Sequence, residues 1–322
     1  KPASKGMEDR QTIVMQSHLD MVHQKNASTV FDFDKEGIKM FIEGDWVKAD
    51  GTTLGADNGI GVASIMAVLS SETIAHPPIE ALFTIDEETG MTGAMGLKGG
   101  LLDGTIMLNL DTEDDDELTI GCAGGIDVTA KGTYSSEPAG SGVSSYVLSV
   151  KGLTGGHSGM DIHRGRGNAN KLMNRILWKS REKFGVRLNS VDGGSLRNAI
   201  PRESSARIVV KSTVDVGFHA FIQMEMEAIQ AEHSTTDPNL KVILEPCDGI
   251  TTVLVEKDQD ALLRAIYACP IGIYRMSPDI DGLVQTSNNL ARVLIADGKY
   301  SIQCLTRSSV DSEKMDEAEM IK

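Results

Sequence analysis

The stretch Leu54-Gly55-Ala56-Asp57-Asn58-Gly59-Ile60-Gly61 sets an aspartate in a glycine-flanked loop that opens into a helix of small residues, 62–69. Glycines let such a loop take positive φ and bring its backbone close to another group. Alone, Asp57 reads as a helix N-cap, a position aspartate favours strongly. Its company on either side changes that reading. Upstream, residues 12–17 form an apolar, β-rich run that predicts a buried strand, closed by Ser17-His18-Leu19-Asp20. Downstream, residues 79–85 predict a second strand ending in Asp86-Glu87-Glu88, and residues 105–110 a third ending in Asp111. Helical stretches at 62–69 and 93–102 alternate with these strands, the βαβ rhythm of a mostly parallel sheet. Ligands of such sheets gather outside the carboxyl ends of the strands, where His18, Glu87, Glu88 and Asp111 all fall.

One histidine and several carboxylates at loop ends suit a borderline divalent metal. Residues two apart in extended backbone point the same way. His18 can then bind a metal while Asp20 accepts a hydrogen bond from the other ring nitrogen, although a polar pair that merely finishes a strand is the plain alternative. Asp57, with two oxygens to offer, can bridge two metals. Three consecutive carboxylates at 86–88 repel one another unless a cation sits between them. Given one, Glu87 and Glu88 can divide the work, one binding metal and the other shuttling a proton. These residues read together as a co-catalytic metal hydrolase. The acidic run 113–117 predicts a solvated turn with no chemistry, and residues 25–47 predict irregular surface or a short hairpin.

Bulk properties narrow the field. A length of 322 residues allows about two domains. A net charge of -15 excludes nucleic acid and anionic membrane surfaces as partners. The four cysteines, Cys122, Cys247, Cys269 and Cys304, show no CxxC spacing and predict free thiols in a reducing, cytoplasmic compartment. No segment nears the roughly 18–20 apolar residues of a membrane span. No signal peptide is evident. The chain opens on Lys1-Pro2-Ala3-Ser4 without a Met and runs almost directly into a strand, so it reads as the interior of a longer protein.

After Gly121-Cys122-Ala123-Gly124-Gly125 the pattern becomes α+β, with strands at 146–151, 204–211 and 300–305 and helices at 168–184 and 218–233. A faint internal echo pairs 194–200 with 282–288, each ahead of a strand, and suggests two similar α+β subdomains. His157 lies between glycines in Gly155-Gly156-His157-Ser158-Gly159 and on sequence alone reads as a structural or merely exposed histidine ahead of a functional one. Arg307 is equally open, a surface charge or a fork for a carboxylate.

The strings Ser17-His18-Leu19-Asp20-Met21-Val22, 51–61, 86–96, Asp111-Thr112-Glu113, 121–127, 151–170 and 196–203 resemble the aminoacyl-histidine dipeptidases of the aminoacylase and carnosinase clan of zinc peptidases. The likeness runs through essentially the whole chain in order. H-x-D, G-A-D-N-G, E-E and G-G-H-S-G together are specific for the clan, and G-T-T-L-G-A-D-N-G-I-G with S-L-R-N-A-I-P-R-E points to this branch.

The resemblance implies an α/β, mostly parallel-sheet di-zinc catalytic domain at residues 1–124, incomplete at both ends, with an inserted α+β lid at 125–322. Two Zn2+ ions are implied, with Mn2+ or Co2+ as substitutes. His18 and Asp111 would hold one, Glu88 the other, and Asp57 would bridge them. Asp20 would orient His18, and Glu87 would be the base that activates the water between the metals and returns its proton to the leaving amine. His157 would polarise the scissile carbonyl, and Asn198 and Arg307 would bind the backbone and terminal carboxylate of a small dipeptide. The implied activity is hydrolysis of unblocked dipeptides, Xaa-His favoured, in a cytoplasmic protein able to form a homodimer. The alternatives are an N-acyl-amino-acid deacylase or carboxypeptidase of the same clan, or a non-catalytic metal-binding fragment. The resemblance also places a further metal-ligand histidine beyond Lys322, and helices and a strand before Lys1. Residues 286–289 depart from the usual family string.

Overall fold

Ile13-Val14-Met15-Gln16-Ser17-His18 forms strand β1 (Ile13–His18), with Val14, Met15, Ser17 and His18 buried. In the computed structural model, which describes residues 1–25, 29–112, 116, 118–119 and 121–322, β1 is the middle strand of the first of two compact units, Lys1–Thr119 and Ile120–Lys322. The acidic run 113–117, apart from Asp116, lies outside the described residues.

The first unit continues with the hairpin β2 (Met40–Glu43) and β3 (Trp46–Ala49), then α1 (Ala56–Ser70), β4 (Ile79–Thr84), the single turn α2 (Thr92–Met95) and β5 (Ile106–Asn109). Strand order is β4-β1-β5, both pairings parallel, with Ile13 opposite Ile79 and Ile106. Because all three strands run the same way, His18, the 86–88 segment and Asp111 leave the sheet at one edge. Met15, Ile65 and Ile79 form the buried core beneath it. The helix begins earlier than its apolar run indicates. Asp57 and Asn58 are joined by a cis peptide and keep non-helical backbone at its start. A β-carbon on Gly61 would lie 2.2 Å from Asn58 Oδ1 and 2.7 Å from Ser17 Oγ, so glycine is what lets α1 approach the end of β1. The helix expected at 93–102 shrinks to α2, because Gly96, Gly99 and Gly100 follow at once and Gly100 takes φ +82°.

The second unit is built on one sheet. Its elements are β6 (Gly124–Thr133), β7 (Ser136–Pro138), β8 (Val143–Lys151), β9 (Gly156–His157), α3 (Ala169–Phe184), β10 (Arg187–Gly193), β11 (Ala199–Ile200), β12 (Ser204–Lys211), α4 (Asp215–Glu232), β13 (Lys241–Pro246), β14 (Thr252–Leu254), α5 (Glu256–Ala268), β15 (Gly272–Met276), β16 (Val284–Ala296), β17 (Lys299–Ser308) and α6 (Asp311–Ile321). Eight strands join in the order β13-β8-β12-β10-β16-β17-β6, with β15 alongside β16, and every pairing is antiparallel. The two α+β halves expected from the sequence share this sheet, since β10 pairs with β16 through Val191 opposite Ile295. β6 belongs to it from Gly124, and the unit boundary falls at 119/120 rather than 124/125.

Helix α3 shows how local signals and packing agree. Asn168 caps it by accepting from the N–H groups of Asn170 (3.1 Å) and Lys171 (3.2 Å), and Gly185 ends it at φ +63°. Leu172, Met173, Ile176 and Leu177 face the core with Leu148, Ile208 and Phe218. The segment 282–288, expected to precede a strand, instead lies largely in one. β16 begins at Val284, and its polar residues Gln285 to Asn289 are buried. Their hydrogen bonds are made within the fold, for example Thr286 Oγ1 with Ser308 Oγ of β17 at 2.7 Å and Asn288 Nδ2 to the carbonyl of Pro270, ahead of β15, at 2.8 Å. A polar run satisfied this way carries no apolar alternation to betray it. No helix among the described residues is long and apolar enough to cross a membrane.

Glu317 of α6 is 1% exposed, and neither carboxylate oxygen has a hydrogen-bond partner among the described residues. Burial, with nearby Glu313, pushes its pKa up to about 7. The folded state therefore holds this proton more tightly than the unfolded chain, and stability present below about pH 4.5 falls as pH rises through about 7. Glu317→Gln should raise unfolding free energy at pH 8 by roughly 1–3 kcal/mol and flatten that fall. Denaturant unfolding at pH 5 and pH 8 measures it, and equal pH dependence in both proteins would refute it.

Candidate functional site

His18 is 1% exposed at the end of β1, and its two ring nitrogens meet different surroundings. Nδ1 donates to the main-chain oxygen of Asp20 at 2.9 Å. That tautomer leaves a lone pair on Nε2, which faces Asp57 Oδ1 at 3.1 Å, Asp111 Oδ2 at 3.7 Å and Glu87 Oε2 at 3.9 Å. A lone pair facing three carboxylate oxygens is an arrangement that a cation, either a proton or a metal ion, stabilises. Burial opposes charging the imidazole, but Asp111, Asp57 and Glu87 outweigh it and raise the His18 pKa. Two ligand groups can be drawn within this cluster, His18 with Glu87 and Asp111, and His18 with Asp57 and Glu88. A nitrogen and carboxylate donor set of this kind fits a divalent metal.

The carboxylates are tuned by position. Burial first, then Asp111, raises the Glu87 pKa, and burial followed by Asp57 raises that of Glu88. Asp20 goes the other way. Burial works against its charge, but the backbone N–H groups of Glu87 and Glu88 donate to its two oxygens at 3.1 Å each and hold its pKa down. The Asp20 carboxylate thus fixes the turn that presents Glu87 and Glu88, and its main chain fixes His18. Asp86, the first acid of the run, is diverted. At φ +59° it binds the hydroxyls of Thr89 and Thr92 and shapes the turn.

In the second unit the structure gathers His157, Asn198 and Arg307. β9 pairs with β11, Ala199 opposite His157, and Ser158 N–H donates to the Asn198 carbonyl at 2.7 Å. His157 Nδ1 accepts from the N–H groups of Gly159 (3.3 Å) and Met160 (3.1 Å), which places the ring proton on Nε2. Arg307 Nη2 lies 3.4 Å from that nitrogen. Two donors side by side favour an oxygen acceptor between them. Burial lowers the Arg307 pKa, and among the described residues it makes no ion pair. A β-carbon on Gly159 would sit 3.1 Å from the His157 ring and 3.2 Å from Arg307 Cδ, so the turn leaves little slack around both.

Two buried asparagines belong to this cluster but escaped the sequence reading. Asn289 Nδ2 donates to the carbonyls of Arg197 (3.2 Å) and Ala199 (2.8 Å), on either side of Asn198. Asn168 Nδ2 reaches Asn289 Oδ1 at 3.3 Å. The only available signal was the polarity of 285–289 ahead of an apolar run.

Residues 148–236 match the model of the Peptidase dimerisation domain. Over 315 residues the chain is 46% identical to the Cytosol non-specific dipeptidase of Escherichia coli (strain K12), a match covering 98% of this chain and 65% of that protein. It is 35% identical over 113 residues to the Uncharacterized protein YqjE of Bacillus subtilis (strain 168), covering 34% of this chain and 28% of that one. The crystal structure of Aminoacylhistidine Dipeptidase from Vibrio alginolyticus superposes with a TM-score of 0.70 at 42% identity, over 100% of this chain and 67% of that one. The fold is shared with that dipeptidase structure, and the donor set is one that can hold a divalent metal. The chain belongs to the family of the aminoacylhistidine and cytosol non-specific dipeptidases, and spans 65% of the length of the E. coli relative.

Because the Asp20 carboxylate holds the Glu87–Glu88 turn, Asp20→Ala should weaken divalent-metal binding, probed with Zn2+, by roughly 10- to 100-fold. Calorimetric titration measures this, with circular dichroism to verify the fold. Undiminished affinity would remove Asp20 from the support of the site.

Proposed function

We propose that this chain is the core of a zinc-dependent dipeptidase that hydrolyses unblocked dipeptides, Xaa-His favoured. The observation that carries the reading is the buried His18, whose Nε2 lone pair faces the carboxylates of Asp57, Asp111 and Glu87 within 3.9 Å. In this reading His18 and Asp111 would hold one zinc and Glu88 the other, with Asp57 available to both. Two bound zinc ions would supply Lewis acidity, making a water acidic near neutral pH and absorbing negative charge that develops on the carbonyl oxygen.

The chain's own groups then do the rest. Glu87, its pKa raised by burial and Asp111, is suited to take a proton from the attacking water and pass it to the departing amine nitrogen. As the water oxygen bonds to the carbonyl carbon and the C–N bond breaks, a proton on that nitrogen makes it a competent leaving group. His157 donates from Nε2 to the carbonyl oxygen, the role its tautomer favours. Arg307 receives the terminal carboxylate in its guanidinium fork, and Asn198 binds the substrate backbone. The preference for histidine rests on the name of the Vibrio relative, and a cytoplasmic location on the name of the E. coli one. A homodimer is proposed from the matched dimerisation domain.

Glu87→Gln should keep zinc binding and fold while lowering turnover by roughly 10²–10⁴-fold, since the base is lost and the metal ligands remain. Wild-type turnover in that variant would exclude Glu87 as the base. The substrate assignment is tested with the zinc-loaded, full gene-encoded polypeptide. Histidine release from β-alanyl-histidine and leucyl-histidine should far exceed release from N-acetyl-histidine. The reverse preference would convert the assignment to a deacylase.

A further inference from the structure

Cys269 and Cys304 are 35 residues apart in sequence, yet their sulfurs lie 3.5 Å apart. Cys269 follows the last turn of α5 and is partly exposed, whereas Cys304 lies on β17 and is 1% exposed. Both thiols are free. The surroundings treat the two sulfurs differently. Lys171, reaching across from α3, donates its ammonium to the carbonyls of Ile266 (3.0 Å), Tyr267 (2.8 Å) and Cys269 (2.7 Å), and so caps the end of α5 with positive charge beside the Cys269 sulfur. Asn288 Nδ2 approaches the same sulfur at 3.9 Å while bonding the Pro270 carbonyl at 2.8 Å.

We propose that Cys269 and Cys304 form a site of reversible oxidation by hydroperoxides, in which Cys269 is the attacking thiol, Cys304 the resolving thiol, and the product an intramolecular disulfide linking α5 to β17.

The chemistry balances without any other reactant. The Cys269 thiolate attacks one peroxide oxygen, the S–O bond forms, the O–O bond breaks, and the departing hydroxide leaves as water on taking a proton. Cys269 is then a sulfenic acid. The Cys304 sulfur attacks the Cys269 sulfur, the S–S bond forms, the S–O bond breaks, and the hydroxyl departs as a second water with the Cys304 proton. Two thiols are oxidised and one peroxide is reduced to two waters. The asymmetry of the pair supports this order. Hydrogen bonding from Cys304 holds the Cys269 pKa down despite burial, with Lys171 adding to it, and the same bond pushes Cys304 up. Once Cys269 is a neutral sulfenic acid, the anion that held the Cys304 proton is gone, and Cys304 is free to resolve. Neither Cys122 nor Cys247 has a second sulfur in contact among the described residues, so each lacks a resolving partner. The proposal is independent of any peptidase activity.

The test uses the 322-residue chain, fully reduced, then exposed to hydrogen peroxide and mapped by mass spectrometry under non-reducing conditions. The expected result is a cross-link between the peptides containing Cys269 and Cys304, with a mass lower by about 2 Da and full reversal by dithiothreitol. The Cys122→Ser/Cys247→Ser double variant, which leaves the pair and its packing untouched, should give the same cross-link. In Cys304→Ala, dimedone should trap a sulfenic acid at Cys269. A pair that stays reduced while Cys122 oxidises, or a Cys269 that joins another chain or proceeds to sulfinic acid with Cys304 still a thiol, would overturn the proposal.

Discussion

A buried imidazole whose lone pair meets three carboxylate oxygens is the constraint on which the first unit depends. Like charges roughly 4 Å apart repel by about 4 kcal/mol at an effective dielectric of 20. A cation would relieve that repulsion, and the backbone holds the cluster in place. The backbone part is visible throughout. Three parallel strands deliver their ends to one edge, Asp20 ties the 86–88 turn to the end of β1, and Gly61 lets α1 come near enough to place Asp57 over Nε2. Each support is a hydrogen bond or a close approach, and the charged one, Asp20, has both carboxylate oxygens engaged by backbone N–H groups.

The second unit solves a different problem, the placement of polar donors inside an antiparallel sheet. A buried amide left unpaired costs about 1–3 kcal/mol, so partners found by a buried asparagine are strong constraints on the chain around it. Asn289 finds them in the two carbonyls flanking Asn198, and Asn288 in the Pro270 carbonyl and Thr306 hydroxyl. Satisfying those asparagines fixes the 197–199 segment, and with it the strand pair that carries His157. The same polar interior that looks out of place in a strand is what holds the 197–199 segment and the β9–β11 pair.

Much of this was legible beforehand because its signals are local. The apolar runs at 12–17, 79–85 and 204–211 fall within a residue or so of β1, β4 and β12, and Asn168 and Gly185 bracket α3 as capping rules require. The acids and the histidine at strand ends were legible for the same reason. Less legible were features set by neighbours in space. The helix at 93–102 shortened to one turn because its glycines outweighed a weak apolar pattern, and β16 was hidden because its first half is polar and internally bonded. Asp86 could not be separated from Glu87 and Glu88 by composition, since only the turn geometry turns it toward Thr89 and Thr92.

The sequence by itself determined which side chains stand at the carboxyl ends of the parallel strands, because alternation, run length and turn residues act over a few positions and need no distant partner. Tertiary structure alone decided which oxygens face His18 Nε2, that Asp20 supports the site through both its main chain and its carboxylate, and that His157 and Arg307 meet from 150 residues apart. The same holds for Cys269 and Cys304, whose contact depends on where β17 lies beside the end of α5. Strand order and helix packing set those distances, and they are properties of the assembled sheet rather than of any one segment.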